Sequence, residues 1–544
     1  MAQPWSLPSL ARSKSSEKIS LGLPADAESA LGAPTDRWQL IASMTHSTSR
    51  RRLWHLCLLL IAIAALPGAP AHAQSTESST LRRPNIIFIL ADDLGYGDLG
   101  CYSAASQVPT PHLDALAAGG LRFTDAYCPI SICTPTRFAL MTGVYPWRAK
   151  WQGGVARNWE GPLIPAPAPT LPGVLKSAGY HTGGFGKWHL GADFKTTDGR
   201  KVVGTGAFKH EDNGANLDLR APIANGPLDR GFDEWFGFIT ASEGLIIEGS
   251  RPAALLGHDL YKDITAAGAQ DLPKISLPDY LPEITRRSLA FLGAQPPGRP
   301  FFLYFAPYVP HVPLAVAPSF RGKTRAGDYG DYVHELDDAI GQLVAALKAN
   351  GQFENTLILF ASDNGSEFLS SGADHHPNGP LRGRKHEIFE GGVRTPFLAH
   401  WPGRTPAGRA CHDLLSLTDI VPTVAALTGQ PLPAGKARDG VNQLPAILGG
   451  ADAPPARTEV VVCDGSGRPA LRSGQWKWIP SAKKQEQAGA SGSQGPSALG
   501  ALYDLATDPG ETMDVAAGHP DLVQQLSARL QAIRQSDWPG GKAN

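Results

Sequence analysis

Two pairs of oxygen-bearing side chains close apolar runs of the same kind. Asp92-Asp93 ends "NIIFILADDLG" and Asp363-Asn364 ends "NTLILFASDNG", and each pair is followed by a glycine turn. Three carboxylates and an amide are hard donors. Together they suit one hard divalent cation, calcium first and magnesium as the alternative. Taken singly, each acid reads equally well as a helix cap or a turn residue. The cysteines and histidines show no zinc-type spacing.

A second kind of chemistry lies in "PISICTPTRFALMTG", Pro129 to Gly143. Pro135 suits the first turn of a helix, where its missing N–H is not needed. Cys133 then stands at or just before the helix start, where free N–H groups and the dipole favour negative charge. Arg137 adds a fixed cation, so the stretch could hold a tetrahedral oxyanion. The plainer reading is a buried or disulfide-bonded cysteine. Lys187 and His189 lie in "GFGKWHLG". If that is a strand, period two puts both on one face and Trp188 on the other. A lysine beside a histidine suits anion binding and proton transfer, and equally a solvated strand end. His311 in "YVPHVP" and Lys385 in "LRGRKHEIFEGGVRTP" read alone as a structural histidine and a solvated lysine.

These residues need a frame that brings them together. "NIIFILA", "HTGGFG", "PFFLYFAP" and "NTLILFAS" read as buried strands, with helical patterns between them. One helix, "DYVHELDDAIGQLVAALKANG", puts Val333, Leu336, Ile340, Leu343, Val344 and Leu347 on one face. Strands alternating with helices predict an α/β fold with a mostly parallel central sheet flanked by helices. Such sheets bind ligands beyond the carboxyl ends of their strands. Residues 82–441 are expected to form this catalytic domain. Residues 442–540 change character: "TEVVVCDG", "PALRSGQWKWIP" and "GALYDLATDP" read as antiparallel strands, and "HPDLVQQLSARLQAIRQ" as a closing helix, a smaller C-terminal subdomain. The Ser/Gly/Gln-rich stretch 481–500 reads as a hairpin loop. The stretches Trp151–Pro165 and Phe194–Glu248 read as loops that shape substrate choice.

The first residues are of another kind. Residues 1–43 show no period and read as an unstructured extension or a mis-assigned start. Residues 44–73 carry Arg50, Arg51 and Arg52, an apolar run from Leu56 to Leu66, and the small-x-small site Ala71-His72-Ala73. That is a secretory signal peptide, predicting a mature chain from Gln74 that is periplasmic or extracellular. The apolar run is short of the ~20 residues a membrane span needs, so no mature span is expected. Formal net charge is −1 over 544 residues, which gives no global pull toward nucleic acid.

"CTPTRFALMTG" resembles the sulfatase signature C-x-P-x-R followed by L-x-T-G. "ADDLGYGDLGCY", "LAAGGLRFTDAY", "GKWHLG", "SDNG", "EGGVRTPFLAHWPG" and "LYDLATDPGE" are similar, in the same order, to the arylsulfatase A-type sulfatases. The resemblance runs from Pro84 to the C-terminus. It implies an alkaline-phosphatase-like fold and hydrolysis of sulfate esters of small molecules or saccharides. It implies that a formylglycine-generating enzyme oxidises Cys133 to formylglycine, whose hydrate attacks sulfur. Asp92, Asp93, Asp363 and Asn364 match the calcium ligands, completed by the modified Cys133. Arg137 and Lys187 match the residues that hold formylglycine and sulfate. His311 and Lys385 match those that contact sulfate and serve the leaving oxygen, and His189 matches the base that helps expel sulfate. The family often has Ser after the proline, where this chain has Thr136.

Two further readings compete. A phosphonate or phosphodiester hydrolase of the same superfamily would use the same modified residue. A non-catalytic binding homologue would keep an unmodified Cys133, but a pure binder has no need of His189 beside Lys187.

Overall fold

The run Asn85–Ala91 is apolar along almost its whole length because both of its faces are covered. Ile86, Phe88 and Leu90 enter one core and Ile87, Ile89 and Ala91 the other, the period-two split of a strand between two layers. A computed structural model describes residues 83–149, 153–240, 244–257, 263–449, 454–481 and 500–536. The signal-peptide segment and most of the 481–500 loop lie outside the described residues.

The central sheet has 11 strands. Its middle runs Thr356–Ser362, Asn85–Ala91, Phe301–Ala306, His181–Gly186 and Glu234–Phe238, all parallel neighbours. The flanks are mixed: Phe397–His400 and Leu245–Glu248 each pair antiparallel with the edge of this parallel core. The stretch from Phe194 to Glu248 is therefore more than a loop, since it supplies the strands Glu234–Phe238 and Leu245–Glu248.

Helices cover both faces. Cys133–Thr142, Leu171–Ser177 and Ile420–Thr428 contribute Phe138, Leu175 and Val421 to one core. Pro111–Ala118, Leu277–Gly293 and Gly327–Ala349 contribute Leu113, Leu281 and Leu336 to the other. The helix Gly327–Ala349 buries Val333, Leu336, Ile340, Leu343 and Leu347, as its pattern predicts, and leaves Val344 half-buried. It also buries acids that the pattern assigns to solvent. Asp337 accepts from the N–H groups of His112 and Leu113, capping a helix whose own Thr110 makes no cap bond. Glu335 accepts from the N–H of Ala317, in the loop that follows His311.

Toward the C-terminus, Glu459–Cys463, Pro469–Ser473, Trp476–Pro480 and Gly500–Asp504 form a 4-stranded antiparallel sheet. The helix Pro520–Gln535 closes one face, packing Val523, Leu526 and Leu530 against Val461, Leu471 and Trp478. Cys463 forms a β-bridge with Ile130, just ahead of Cys133. Among the described residues, no helix is long and apolar enough to cross a membrane.

Candidate active site

Each central strand ends at the same edge of the sheet, and Asp92, Asp93, Lys187, Asp363 and Asn364 sit where strands stop. Asp92 and Asp93 follow Ala91 directly, and Asp363 follows Ser362. Asp93 takes φ 67°, a left-handed turn that lets adjacent carboxylates share one site. Its N–H donates to Asp363 Oδ1 at 3.2 Å, tying the two strand ends together.

Cys133 is the first residue of the helix Cys133–Thr142, after an extended Ile132 that offers no side-chain cap. The helix ends at Gly143 with φ 68°. Its thiol lies 3.4 Å from Asp92 Oδ1 and 3.9 Å from Asp93 Oδ1. Burial and the neighbouring charge of Asp363 push the thiol well up from its ordinary range. Among the described residues every cysteine is free, so the disulfide reading of Cys133 falls away. Arg137, one turn on and fully buried, holds Asp363 Oδ2 through Nε at 3.0 Å and Nη2 at 2.8 Å. Its Nη1 donates to the carbonyl of Lys187 at 3.1 Å.

Lys187 Nζ donates to Asp92 Oδ2 at 2.6 Å, and Lys385 Nζ to Asp93 Oδ2 at 2.6 Å. Both lysines are buried, and both keep a proton because the carboxylates outweigh the cost of burial. Asp92 is correspondingly held well below the usual carboxylate range: burial opposes this, and Lys187, His311 and Arg137 prevail.

The strand stops at Gly186 and His189 has φ 61°, so no strand face carries both Lys187 and His189, although the Lys187 N–H still pairs with the Ala306 carbonyl. Lys187 still reaches the acids. His189 turns its Nε2 to the carbonyl of Ala156 at 3.0 Å. A carbonyl only accepts, so Nε2 carries the proton and Nδ1 is left bare, buried and without a partner. Burial, with the positive charges of Lys187 and Arg137, holds this ring neutral.

His311 follows Pro310, whose backbone bridges to Asp92. Its Nδ1 lies 2.5 Å from the carbonyl of Val312, which fixes Nε2 as the titrating atom, 3.6 Å from Asp93 Oδ2. Burial and the charge of Lys385 lower its pKa to about 4. Asp92, Asp93, Cys133 and His311 offer ligand atoms within 4.8 Å of one another.

The oxygen donors also fit a cation. Asn364 donates its amide N–H to Asp93 Oδ1 at 2.7 Å, while its own Oδ1 is buried with no hydrogen-bond partner. A buried orphan acceptor beside three carboxylates is the arrangement a hard cation completes.

Some neighbours escape a sequence reading. Tyr304 meets Arg137 Nη1 at 3.5 Å, and the Tyr308 ring lies 5.1 Å beneath the Lys187 ammonium. A polar ring inside the apolar strand "FFLYFA" was the available signal for Tyr304. Glu367, 3.8 Å from Lys385 Nζ, carried none.

The sulfatase family model matches residues 84–430. Human arylsulfatase A is 37% identical over 496 residues, which covers 86% of this chain and 91% of that protein. An N-acetylgalactosamine-6-O-sulfatase of Bacteroides thetaiotaomicron is 33% identical over 512 residues, 88% of this chain and 98% of the relative. Among solved structures, a protein of glycosaminoglycan metabolism from the same bacterium gives a TM-score of 0.72 at 30% identity, covering 84% of this chain and 100% of the other. The phosphonate monoester hydrolase of Agrobacterium radiobacter, at 20% identity and a TM-score of 0.54, shares the fold alone. With its alkaline-phosphatase-like sheet and its ordered motifs, the chain belongs to the sulfatase family, as an arylsulfatase A-like sulfuric ester hydrolase.

Proposed function

We propose that this chain is an exported sulfatase of sulfated saccharides, with Cys133 converted to formylglycine by a formylglycine-generating enzyme. Asp92, Asp93, Asp363 and Asn364 would hold calcium, with magnesium as the alternative, and the modified Cys133 would complete the set. When formed and bound, formylglycine hydrate and the cation supply an oxygen nucleophile and polarise the sulfate. The carrying observation is that a buried Cys133 thiol, at a helix N-terminus, faces the carboxylates that both lysines grip. The buried, unpartnered Oδ1 of Asn364 supports the cation.

The chain's own residues then take separate tasks. Lys187 and Lys385 bring two fixed positive charges to the sulfate oxygens, and Lys385 also serves the leaving oxygen together with His311. Arg137 keeps Asp363 and the Lys187 backbone in register with the helix start. His311, with Nδ1 committed to Val312, turns Nε2 toward the leaving oxygen and can give it a proton only when the ring is charged, whereas Lys385 beside it stays protonated. His189, with Nε2 committed to Ala156, has a bare Nδ1 to take the proton released when sulfate departs. Relatives named N-acetylgalactosamine-6-sulfatase support a saccharide substrate. Arg50, Arg51 and Arg52, the apolar run and Ala71-His72-Ala73 support export.

Peptide mass spectrometry over Pro129–Arg137 of active enzyme tests the modification. The peptide is expected to have lost sulfur and gained an aldehyde oxygen. Fully active protein with only a thiol at Cys133 overturns the reading. Asp363→Ala is expected to lose most activity and bound calcium while keeping the fold, and stoichiometric zinc in active wild type would overturn the ligand assignment. Faster turnover of 4-nitrophenyl sulfate than of every sulfated saccharide tried would overturn the substrate class.

A further inference from the structure

Lys477 lies on the strand Trp476–Pro480 of the C-terminal sheet, and its side chain is fully buried. A buried ammonium is costly unless it is paired and hydrogen-bonded. Its Nζ meets Glu390 Oε1 at 2.9 Å and Glu511 Oε1 at 2.8 Å. Glu390 is buried as well. Its other oxygen accepts from the Tyr127 hydroxyl at 2.7 Å, and Arg394 Nη1 lies 3.4 Å away. Glu511 Oε2 accepts from the backbone N–H of Glu390 at 2.6 Å, and the Glu511 carbonyl accepts from Arg382 Nη1 at 2.9 Å.

These bonds fall on both stems of one loop. Lys385 stands between Arg382 and Glu390, and the N–H of Gly391 closes the loop base on the Arg382 carbonyl at 2.6 Å. Beyond the base, Lys385 N–H donates to the Ser366 carbonyl and His386 N–H to the Ser131 carbonyl. The charged cluster thus anchors the stems while the tip aims an ammonium at Asp93.

We propose that Lys477, with Glu390 and Glu511, is a positioning residue for sulfate-ester cleavage: it fixes the base of the loop that presents Lys385 to the ester. The inference rests on the reading above, in which Lys385 serves the leaving oxygen. Lys477 touches no reacting atom and acts only through Lys385. Small displacements of a reacting group cost large factors in rate, so the clamp matters to catalysis beyond its share of stability.

Kinetics of Lys477→Met, Lys385→Ala and the double variant test this, using 4-nitrophenyl sulfate and the poorer leaving group of phenyl sulfate. Circular dichroism checks that each variant is folded. Lys477→Met is expected to lower kcat/KM on phenyl sulfate by roughly ten- to a hundredfold, and on 4-nitrophenyl sulfate by less. In the Lys385→Ala background the same substitution is expected to change either rate by less than about twofold. Losses that multiply in the double variant, or an equal loss on both substrates from Lys477→Met while Lys385→Ala does discriminate, overturn the proposal. If Lys385→Ala itself costs both substrates equally, the leaving-group reading of Lys385 fails, and the coupling between the two lysines alone decides the positioning. Should Lys477→Met fail to fold, Tyr127→Phe removes one hydroxyl from the same clamp. It is expected to cost phenyl sulfate turnover about threefold and nothing further once Lys385 is alanine. An independent, multiplying loss there overturns the proposal equally.

Discussion

Lys187 and Lys385 present ammonium groups to adjacent carboxylates at the same distance, 2.6 Å, but the chain reaches the two positions by different means. Lys187 is the first residue after a central strand. Its N–H continues the sheet by donating to the Ala306 carbonyl at 2.8 Å, and Trp188 does the same to Phe238 at 3.1 Å. Lys385 sits far along a loop after Asn364, and its stems are held by Lys477 of the C-terminal sheet and by Glu511, beyond the last strand of that sheet. One lysine is placed by backbone pairing that also builds the fold. The other is placed by backbone bonds between loops, over a loop base that buried charges hold. Damage near Lys187 should therefore show first as lost stability, and damage near Lys385 as lost chemistry.

The largest effects come from removing the ammonium groups themselves. Lys187→Ala and Lys385→Ala are each expected to lower kcat/KM by about 10²–10⁴-fold. The two should differ in pattern. On the proposed role of Lys187 in holding sulfate, its loss should cost 4-nitrophenyl and phenyl sulfate alike. Loss of Lys385 should cost phenyl sulfate more. Parallel leaving-group plots for the two variants would erase the distinction between them.

A backbone test sharpens the same contrast. Gly186 has φ 120°, and a Cβ there would lie 2.0 Å from the carbonyl oxygen of Ala306, its partner across the sheet. Gly392 lies under the Lys385 loop, and a Cβ there would lie 2.2 Å from the Glu387 carbonyl and 2.6 Å from that of Arg384. Gly186→Ala is expected to cost about 3 kcal/mol or more of stability, because a central strand pair must part. Gly392→Ala is expected to keep most of the stability while the loop shifts and kcat/KM falls. Thermal melts and kinetics on the same preparations check both. A Gly392→Ala enzyme that melts as early as Gly186→Ala would show that the loop belongs to the same cooperative core.

The two lysines also differ in how far a sequence shows them. The strand ends were legible because a continuous apolar run followed by acids and glycine fits little besides a buried strand reaching its turn. That places Asp92, Asp93, Asp363 and, one residue past its strand, Lys187. The period-two argument still misjudged how Lys187 and His189 are presented, because Gly186 and His189 adopt positive φ and end the pleat. The helix start at Cys133 was legible from Pro135 and the closing Gly143. Lys385 was reachable only through the family resemblance, since nothing local fixes where a side chain on a long loop will point. Lys477 shows the sharper limit. In "WKWIP" a lysine between tryptophans reads as the solvent face of an amphipathic strand. It is buried instead, because Glu390 and Glu511 arrive from distant parts of the chain to receive it.

The smallest expected effect is a pH dependence confined to the Lys385 side. Glu390 and Glu511 share one lysine, and they titrate as a coupled pair. Burial works against ionising Glu390, but Lys477, Arg394 and Arg472 prevail and hold it down at about 2. Glu511 carries the cost: burial first, and then the charge of Glu390, push it up from 4.5 to about 7. The folded chain therefore prefers a protonated Glu511. Its contribution to stability is full below 4.5 and is lost as pH rises through about 7. At about 1.4 kcal/mol per unit, the loss is on the order of 3 kcal/mol at most. Glu511→Gln keeps a carbonyl oxygen for the Glu390 N–H and cannot ionise. Its stability relative to wild type, from urea midpoints, is expected to rise between about pH 5 and pH 8 by an amount up to that bound. The matching control on the other side of the site is Asp233→Asn. Asp233 accepts from the Thr182 N–H at 3.0 Å on the strand that leads to Lys187, and Lys176 and its other hydrogen bonds outweigh burial to hold it below 3.8. Stability from that group is present above 3.8 and lost only in acid, so the gap between Asp233→Asn and wild type should stay flat over the same range. A flat gap for Glu511→Gln as well would mean that Glu511 is ionised throughout, and that Lys477 holds two charged carboxylates rather than one.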